Sequence, residues 1–179
     1  TGLAKRGIHV TVLTNSLAAT DVGAVHSGYQ RYREALLAGG VVIYELKPGA
    51  VQPAQAENKS KGFGSSRASL HAKSFVFDQQ AVFIGSLNLD PRSIQLNTEI
   101  GVVCESAPLA EDIAGALERN LDAVAWRLER IVDASGHAHI EWVEAGAAGE
   151  RRYLNEPEVG AMRRFSVWLL GLLPIESQL

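Results

Sequence analysis

Residues 66–101 read SRASLHAKSFVFDQQAVFIGSLNLDPRSIQLNTEIG. Within them His71, Lys73, Asp78, Gly85, Ser86 and Asn88 form the pattern H-x-K-x4-D-x6-G-S-x-N, and Glu99 follows eleven residues after Asn88. From residue 69 to residue 78 the chain alternates, with Leu70, Ala72, Ser74, Val76 and Asp78 on one side and His71, Lys73, Phe75 and Phe77 on the other. A period of two predicts a strand, and it puts the imidazole and the ammonium on one side of it. Gln79 and Gln80 are polar between two apolar runs, so residues 81–85 are expected to return as a paired strand, although the turn lacks an Asn-Gly signal. Gly85 ends that strand where a missing side chain lets a ligand approach the backbone.

These residue types suit one kind of chemistry. An imidazole can attack phosphorus or protonate a leaving oxygen, because it titrates near neutrality. A lysine, a hydroxyl and an amide converging on one point suit a phosphodiester whose oxygens gain charge in the transition state. Glu99 is expected to orient the His71 ring, as the third member of a triad does. Asp78 is expected to hold the hairpin. Neither a metal nor a cofactor is called for by this set.

The seven positions resemble the signature of the phospholipase D superfamily, in which H-x-K-x4-D is followed by G-S-x-N and a glutamate. That resemblance implies a metal-independent, two-step displacement through a phosphohistidine, with a second copy of the motif supplying the other histidine. It makes His71, Lys73, Asp78 and Glu99 the expected catalytic set and Gly85, Ser86 and Asn88 the expected substrate-binding set. Only one copy occurs here. His9, His26, His137 and His139 are the remaining histidines, and none has a lysine two positions on. The second motif must come from another half of a longer protein or from a second copy of the chain.

Composition narrows the class. With 179 residues, 46% hydrophobic and 21% charged, the chain is an ordinary globular one with enough length for one buried core. The expected fold class is α/β: a mixed sheet flanked by helices, one half of a pseudo-two-fold protein. A net charge of −3 offers no general attraction for nucleic acid, which is therefore not the expected partner. The one cysteine, Cys104, excludes an internal disulfide and is expected to be a buried strand residue.

Outward from the motif, residues 1–6 read as the last turn of a helix closed by Gly7, and residues 8–13 as a strand. A helix tail without its start, and no initiator Met, suggest a sequence that begins in mid-protein. The loop at residues 14–21 lies where α/β folds place ligand contacts. A helix over residues 26–40 carries Tyr29, Tyr32, Ala35 and Leu36 at helical spacing and ends in Gly39-Gly40; residues 41–46 form the next strand. This block is similar to C-type cardiolipin synthases, in the wording TNSLAATDV, VHSGYQRYREALLAGG and VVIYELKP. His26 and Tyr29 read either as lining a substrate entrance or as packed core, the second being favoured.

Residues 47–65 form a long loop, and Lys59, Lys61 and Arg67 approach the motif from it. Residues 99–104 continue the sheet. A helix from residue 106 to 122 buries Ile113, Leu117 and Leu121, and strands follow at residues 126–132 and 139–143. His137 and His139 lack partners at metal-ligand spacing. These elements divide the chain into a catalytic half-domain at residues 1–150 and a tail at residues 151–179. In that tail Arg163 and Arg164 precede Phe165, Val167, Trp168, Leu169 and Leu170, an apolar run too short to span a bilayer. It reads as a terminal helix on the core or as an amphipathic membrane-docking helix. The ending LLPIES is similar to that of C-type cardiolipin synthases and favours the second.

The expected function is phosphatidyl transfer between phospholipids, with His71 as general acid/base, Lys73, Ser86 and Asn88 on the phosphate, and a membrane surface in the bacterial cell envelope as the place of work. The alternatives are a homodimeric phosphodiesterase, either nuclease or hydrolytic phospholipase, and an inactive half that docks lipid.

Overall fold

The computed structural model describes residues 1–20, 22–50, 71–88 and 91–172. In chain order these form α1 (Gly2–Lys5), β1 (Thr11–Asn15), α2 (Gly23–Gln30), α3 (Arg33–Ala38), β2 (Val42–Leu46), β3 (Ser74–Phe77), β4 (Ala81–Gly85), α4 (Pro91–Gln95), β5 (Gly101–Glu105), α5 (Ala107–Val124), β6 (Ala125–Val132), β7 (Ala138–Glu144), β8 (Arg151–Tyr153) and α6 (Ala161–Gly171). The chain is a mixed α/β structure, as its residue pattern predicts. Its described residues divide into two compact units: those up to residue 50 with 122–172, and those from 71 to 121. The half-domain boundary expected at residue 150 does not follow this division, because β6, β7, β8 and α6 all belong with the N-terminal βαβ block.

The first unit holds a five-stranded sheet in the order β1-β2-β6-β7-β8. β1 and β2 run parallel and the remaining pairs are antiparallel, so the sheet is mixed. Register aligns Ile43, Leu128, Trp142 and Tyr153 in one row across four strands. With Val41 and Trp126 the first three of these form the core, against which Tyr29, Leu36 and Leu37 pack. On the polar side, Glu129 and Glu141 stand directly opposite each other. Arg152 bridges these like charges at 2.7 and 3.0 Å, which removes the repulsion that a cross-strand carboxylate pair would otherwise feel.

The helix expected at residues 26–40 is two helices. Tyr32 N–H bonds the Tyr29 carbonyl at 3.0 Å, a tight i→i+3 turn that separates α2 from α3. The break lets Tyr29 and Arg33 both reach Glu45 on β2. Gly40, at φ 83°, closes α3.

α6 crosses α2 at small residues. A Cβ on Gly23 would stand 3.2 Å from Val167, and one on Gly171 would stand 3.9 Å from Ser27. Val167 is buried there with Leu17, Ala18 and Val159, so the loop after β1, expected to face a ligand, packs with residues of α6 instead.

The second unit carries the three-stranded antiparallel sheet β3-β4-β5. Register pairs Phe75 with Phe83, Val82 with Cys104 and Gly85 with Gly101. Three expectations need correction here. The strand expected from residue 69 begins at Ser74, with His71 and Lys73 just ahead of it. Cys104 is exposed rather than buried, because β5 has both faces open along its whole length. In α5 it is Ala110 and Leu121 that are buried, while Leu117 is 40% exposed.

Candidate functional site

The site is built at one end of the three-stranded sheet. Beyond the first residue of β3 the ladder continues by one bond, from Gly85 N–H to the Lys73 carbonyl at 3.1 Å. On the other side of the same strand end, Ser86 N–H bonds the Ile100 carbonyl at 2.9 Å. Lys73, Gly85, Ser86 and the start of β5 therefore meet at one edge, and His71 lies two residues ahead of Lys73. The backbones come close because no side chain separates them. A Cβ on Gly85 would sit 2.5 Å from the Ile100 oxygen and 2.8 Å from Gly101 Cα, and one on Gly101 would collide with the Phe83 ring. The ring of Phe83 lies over both glycines.

Ser86 is the junction of the polar groups. Its hydroxyl donates to Glu99 Oε2 at 2.5 Å, and its oxygen accepts the Ile100 N–H at 3.0 Å. Asn97 donates its amide to the other Glu99 oxygen at 3.4 Å and to Ser93 Oγ at 3.3 Å. The Ser86 hydrogen bond holds the Glu99 carboxyl below its ordinary range; Ser93, Asn97 and the nearby Lys73 charge act in the same direction. Glu99 is thus held as an anion chiefly by neutral donors, with the Lys73 charge a smaller influence. Lys73 donates to the His71 carbonyl at 3.3 Å, which occupies one of its three N–H groups.

The role expected of Glu99 is to orient the His71 ring. The structure engages it with Ser86 and Asn97, and the Ser86 proton points at Glu99 rather than outward. His71 and Asn88 are exposed. Asp78 stands at the far end of the hairpin, about 17 Å along the strand from Lys73 at the usual rise per residue. It begins the turn with φ 49°, and Gln79 follows at φ 56°. Its place is the left-handed turn, which aspartate tolerates better than most residues. Lys59, Lys61 and Arg67 lie outside the described residues.

A second polar cluster, in the first unit, escaped the sequence reading. Arg33, 4% exposed, meets Glu45, 0% exposed, at 2.7 Å and Glu156 at 2.8 Å. Tyr29 and Trp142 donate to Glu45 at 3.1 and 2.9 Å, and Gln30 donates to Glu156 at 2.5 Å. The His26 Nε2 lies 2.7 Å from Arg33 and 3.4 Å from Glu156 Oε1. Burial alone would push the Glu156 carboxyl up; His26, Arg33 and Gln30 outweigh it and hold it at about 2. Burial, reinforced by the Glu45 charge, raises the Tyr29 phenol far above its ordinary value. His26 and Tyr29 are therefore members of a closed, buried ion network. The one signal in the sequence is Arg33 four residues after Tyr29, on a helical face that also carries Leu36 and Leu37.

Among the described residues no three His, Cys, Asp or Glu side chains are grouped to hold a metal ion. Among them, too, no helix is long and apolar enough to cross a membrane.

Comparison with known proteins places this geometry. Residues 1–121 match the family described as cardiolipin synthase, PLD-like domain. Over 97% of its length the chain is 43% identical to cardiolipin synthase C of Escherichia coli, of which it covers 36%. It is 34% identical to an uncharacterized protein of Helicobacter pylori over 69% of its length, covering 23% of that protein. Cardiolipin synthase A of Pectobacterium carotovorum is 31% identical over 69% of the chain, with 22% of the relative covered. The chain thus spans about a third or less of the curated relatives it matches. No solved structure matches it. A match that spans residues 1–121 takes in the whole H-x-K-x4-D-x6-G-S-x-N stretch and Glu99 along with the βαβ block, and on it the chain belongs to the PLD-like domain family of cardiolipin synthases.

Proposed function

We propose that this chain supplies one half of a metal-independent phosphatidyl-transfer centre working at the surface of a bacterial envelope membrane. The observation that supports it most is the convergence of Lys73, Ser86 and Glu99 at one sheet end, two residues from an exposed His71. In this reading a histidine from a second motif, in the rest of a longer protein or in a second copy, attacks the phosphorus of one phospholipid. The bond from phosphorus to the leaving headgroup oxygen breaks, and His71 gives that oxygen its proton. His71 then takes a proton from the headgroup hydroxyl of a second phospholipid, whose oxygen bonds to phosphorus as the phosphorus–nitrogen bond breaks and the other histidine is released.

Lys73 and Asn88 meet the charged phosphate oxygens. Ser86 serves differently from a free donor: because its proton is held by Glu99, it fixes the end of β4 against β5 and keeps an anion near Lys73. Glu99 is assigned to that pair rather than to the His71 ring. Asp78 shapes the turn and makes no contact with substrate.

The test is His71→Ala in the longest available form of the protein, assayed for cardiolipin formed from phosphatidylglycerol. Loss of a general acid should lower the rate by roughly 10²–10⁴. Near-normal yield would remove His71 from the reaction.

A further inference from the structure

α6 is packed the wrong way round for a helix whose role is to complete a core. Its buried side is narrow and made of Val167, at 3% exposure, with Gly171 against Ser27. Its large apolar residues point outward: Met162 is 78% exposed, Phe165 55%, Trp168 57%, Leu169 50% and Leu172 61%. At 100° per residue these five fall within an arc of about 120° centred nearly opposite Val167. In a helix that only caps a domain, an apolar arc of that width faces inward. The Phe165 and Trp168 rings lie 5.8 Å apart and form one aromatic surface on this arc.

We propose that this outward face of α6 is a docking surface for an anionic phospholipid bilayer, with Phe165, Trp168, Leu169 and Leu172 entering the interface. Charge supports that occupant. In a chain of net charge −3, the segments 22–31 and 160–172 contain no acidic residue, while Arg31, Arg163 and Arg164 supply positive charge. Arg163 and Arg164 also tie the helix down. Arg163 donates to the Thr20 carbonyl at 2.6 Å and Arg164 to the Val159 carbonyl at 2.5 Å, so the helix start is braced while the aromatic arc stays outside. On the same wheel Arg164 stands about 40° beyond Trp168, at the margin of the arc, and Arg163 on the braced side. An aromatic and leucine arc with an arginine at its margin is the composition of an interfacial helix. The proposal deepens the membrane part of the proposed function and rests on it for the phospholipid class; the orientation of the helix does not depend on that reading.

The tryptophans give a readout free of catalysis. Trp126 and Trp142 are 1% and 6% exposed, so Trp168 alone among the three should report a change of surroundings. The full chain is mixed with phosphatidylcholine vesicles containing or lacking phosphatidylglycerol, and pelleting and tryptophan emission are followed. Binding to the anionic vesicles with a blue shift is expected, and the Phe165→Ser/Trp168→Ser variant should bind about 30-fold more weakly. Val132→Ser, which removes an equally exposed apolar residue elsewhere, should bind as the parent does. Unchanged binding by the double variant overturns the proposal. So does a chain that ignores vesicles, whether it forms dimers that the double variant separates or stays monomeric. His71→Ala should leave vesicle binding intact, so a failure of docking and a failure of the catalytic assignment are read separately.

Discussion

Ser86 gives its hydroxyl proton to Glu99 while its oxygen takes the amide proton of Ile100, at 2.5 and 3.0 Å. One side chain thus fixes both the register of β4 on β5 and the charge state of the site. Ser86→Ala removes the largest influence holding the Glu99 carboxyl down, so that carboxyl should titrate at a higher pH in the variant. The sign follows for stability. A carboxyl lowered in the folded state stabilises above its unfolded pKa, and that contribution is lost as pH falls through the folded value. Carbon-13 NMR titration of Glu99 in parent and variant checks it, and coincident curves would end the assignment.

Gly85 and Gly101 face each other in register, yet they should respond differently to a methyl group. On Gly101 the three atoms nearest the added Cβ all belong to the Phe83 ring, a side chain. On Gly85 it also meets the Ile100 oxygen and Gly101 Cα, which belong to the sheet itself. Each alanine should cost about 1–3 kcal/mol by overpacking. Adding Phe83→Leu should recover most of the loss for Gly101→Ala and little of it for Gly85→Ala. Urea midpoints of the four variants decide the matter; equal rescue would show that the ring, rather than the backbone, is the obstacle at both positions.

At the other end of the hairpin, Gln79 holds φ 56° without being glycine. Left-handed backbone crowds an ordinary Cβ, and Asp78 and Gln79, both at positive φ, are the central residues of the tight turn that Gln80 N–H closes on the Phe77 carbonyl at 2.9 Å. Gln79→Gly should therefore stabilise the hairpin, by about 1 kcal/mol, because relief of the crowding exceeds the added freedom of the unfolded chain. A fall in the thermal midpoint would contradict it.

What could be read in advance followed local rules. The alternation of residues 69–78 and the apolar run 81–85 announced two paired strands, and Gly39-Gly40 announced the end of a helix, because period and glycine act within a few residues. The H-x-K spacing singled out His71 and Lys73 but set them within a strand, whereas β3 begins only at Ser74. Three things escaped. The hydrogen bond from Ser86 to Glu99 depends on which β5 residue faces Ser86, a register set across a gap that includes α4. The short β8 has three residues and too little alternation to register as a strand. The Arg33, Glu45 and Glu156 cluster joins residues more than a hundred positions apart, and nothing local in any of them records that they are buried together.

That cluster makes the most exacting prediction. Arg33 sits between two carboxylates, and Glu45 is wholly enclosed with Tyr29 and Trp142 as its other donors. Arg33→Met leaves a buried charge without its cation and should cost about 3–5 kcal/mol, whereas Arg33→Met/Glu45→Leu, which removes both charges, should cost less. Glu156 carries the pH dependence. Its carboxyl, held at about 2, stabilises the fold fully above the ordinary unfolded value, and that stability drains away as the pH falls from about 4.5 toward 2. Glu156→Gln cannot titrate, so the variant should be weaker at neutral pH and lose less stability than the parent between pH 5 and pH 2. Parallel urea titrations across that window measure the difference. Identical acid slopes would mean that Glu156 takes up no proton when the fold opens, and that the buried network is held by Arg33 and Glu45 alone.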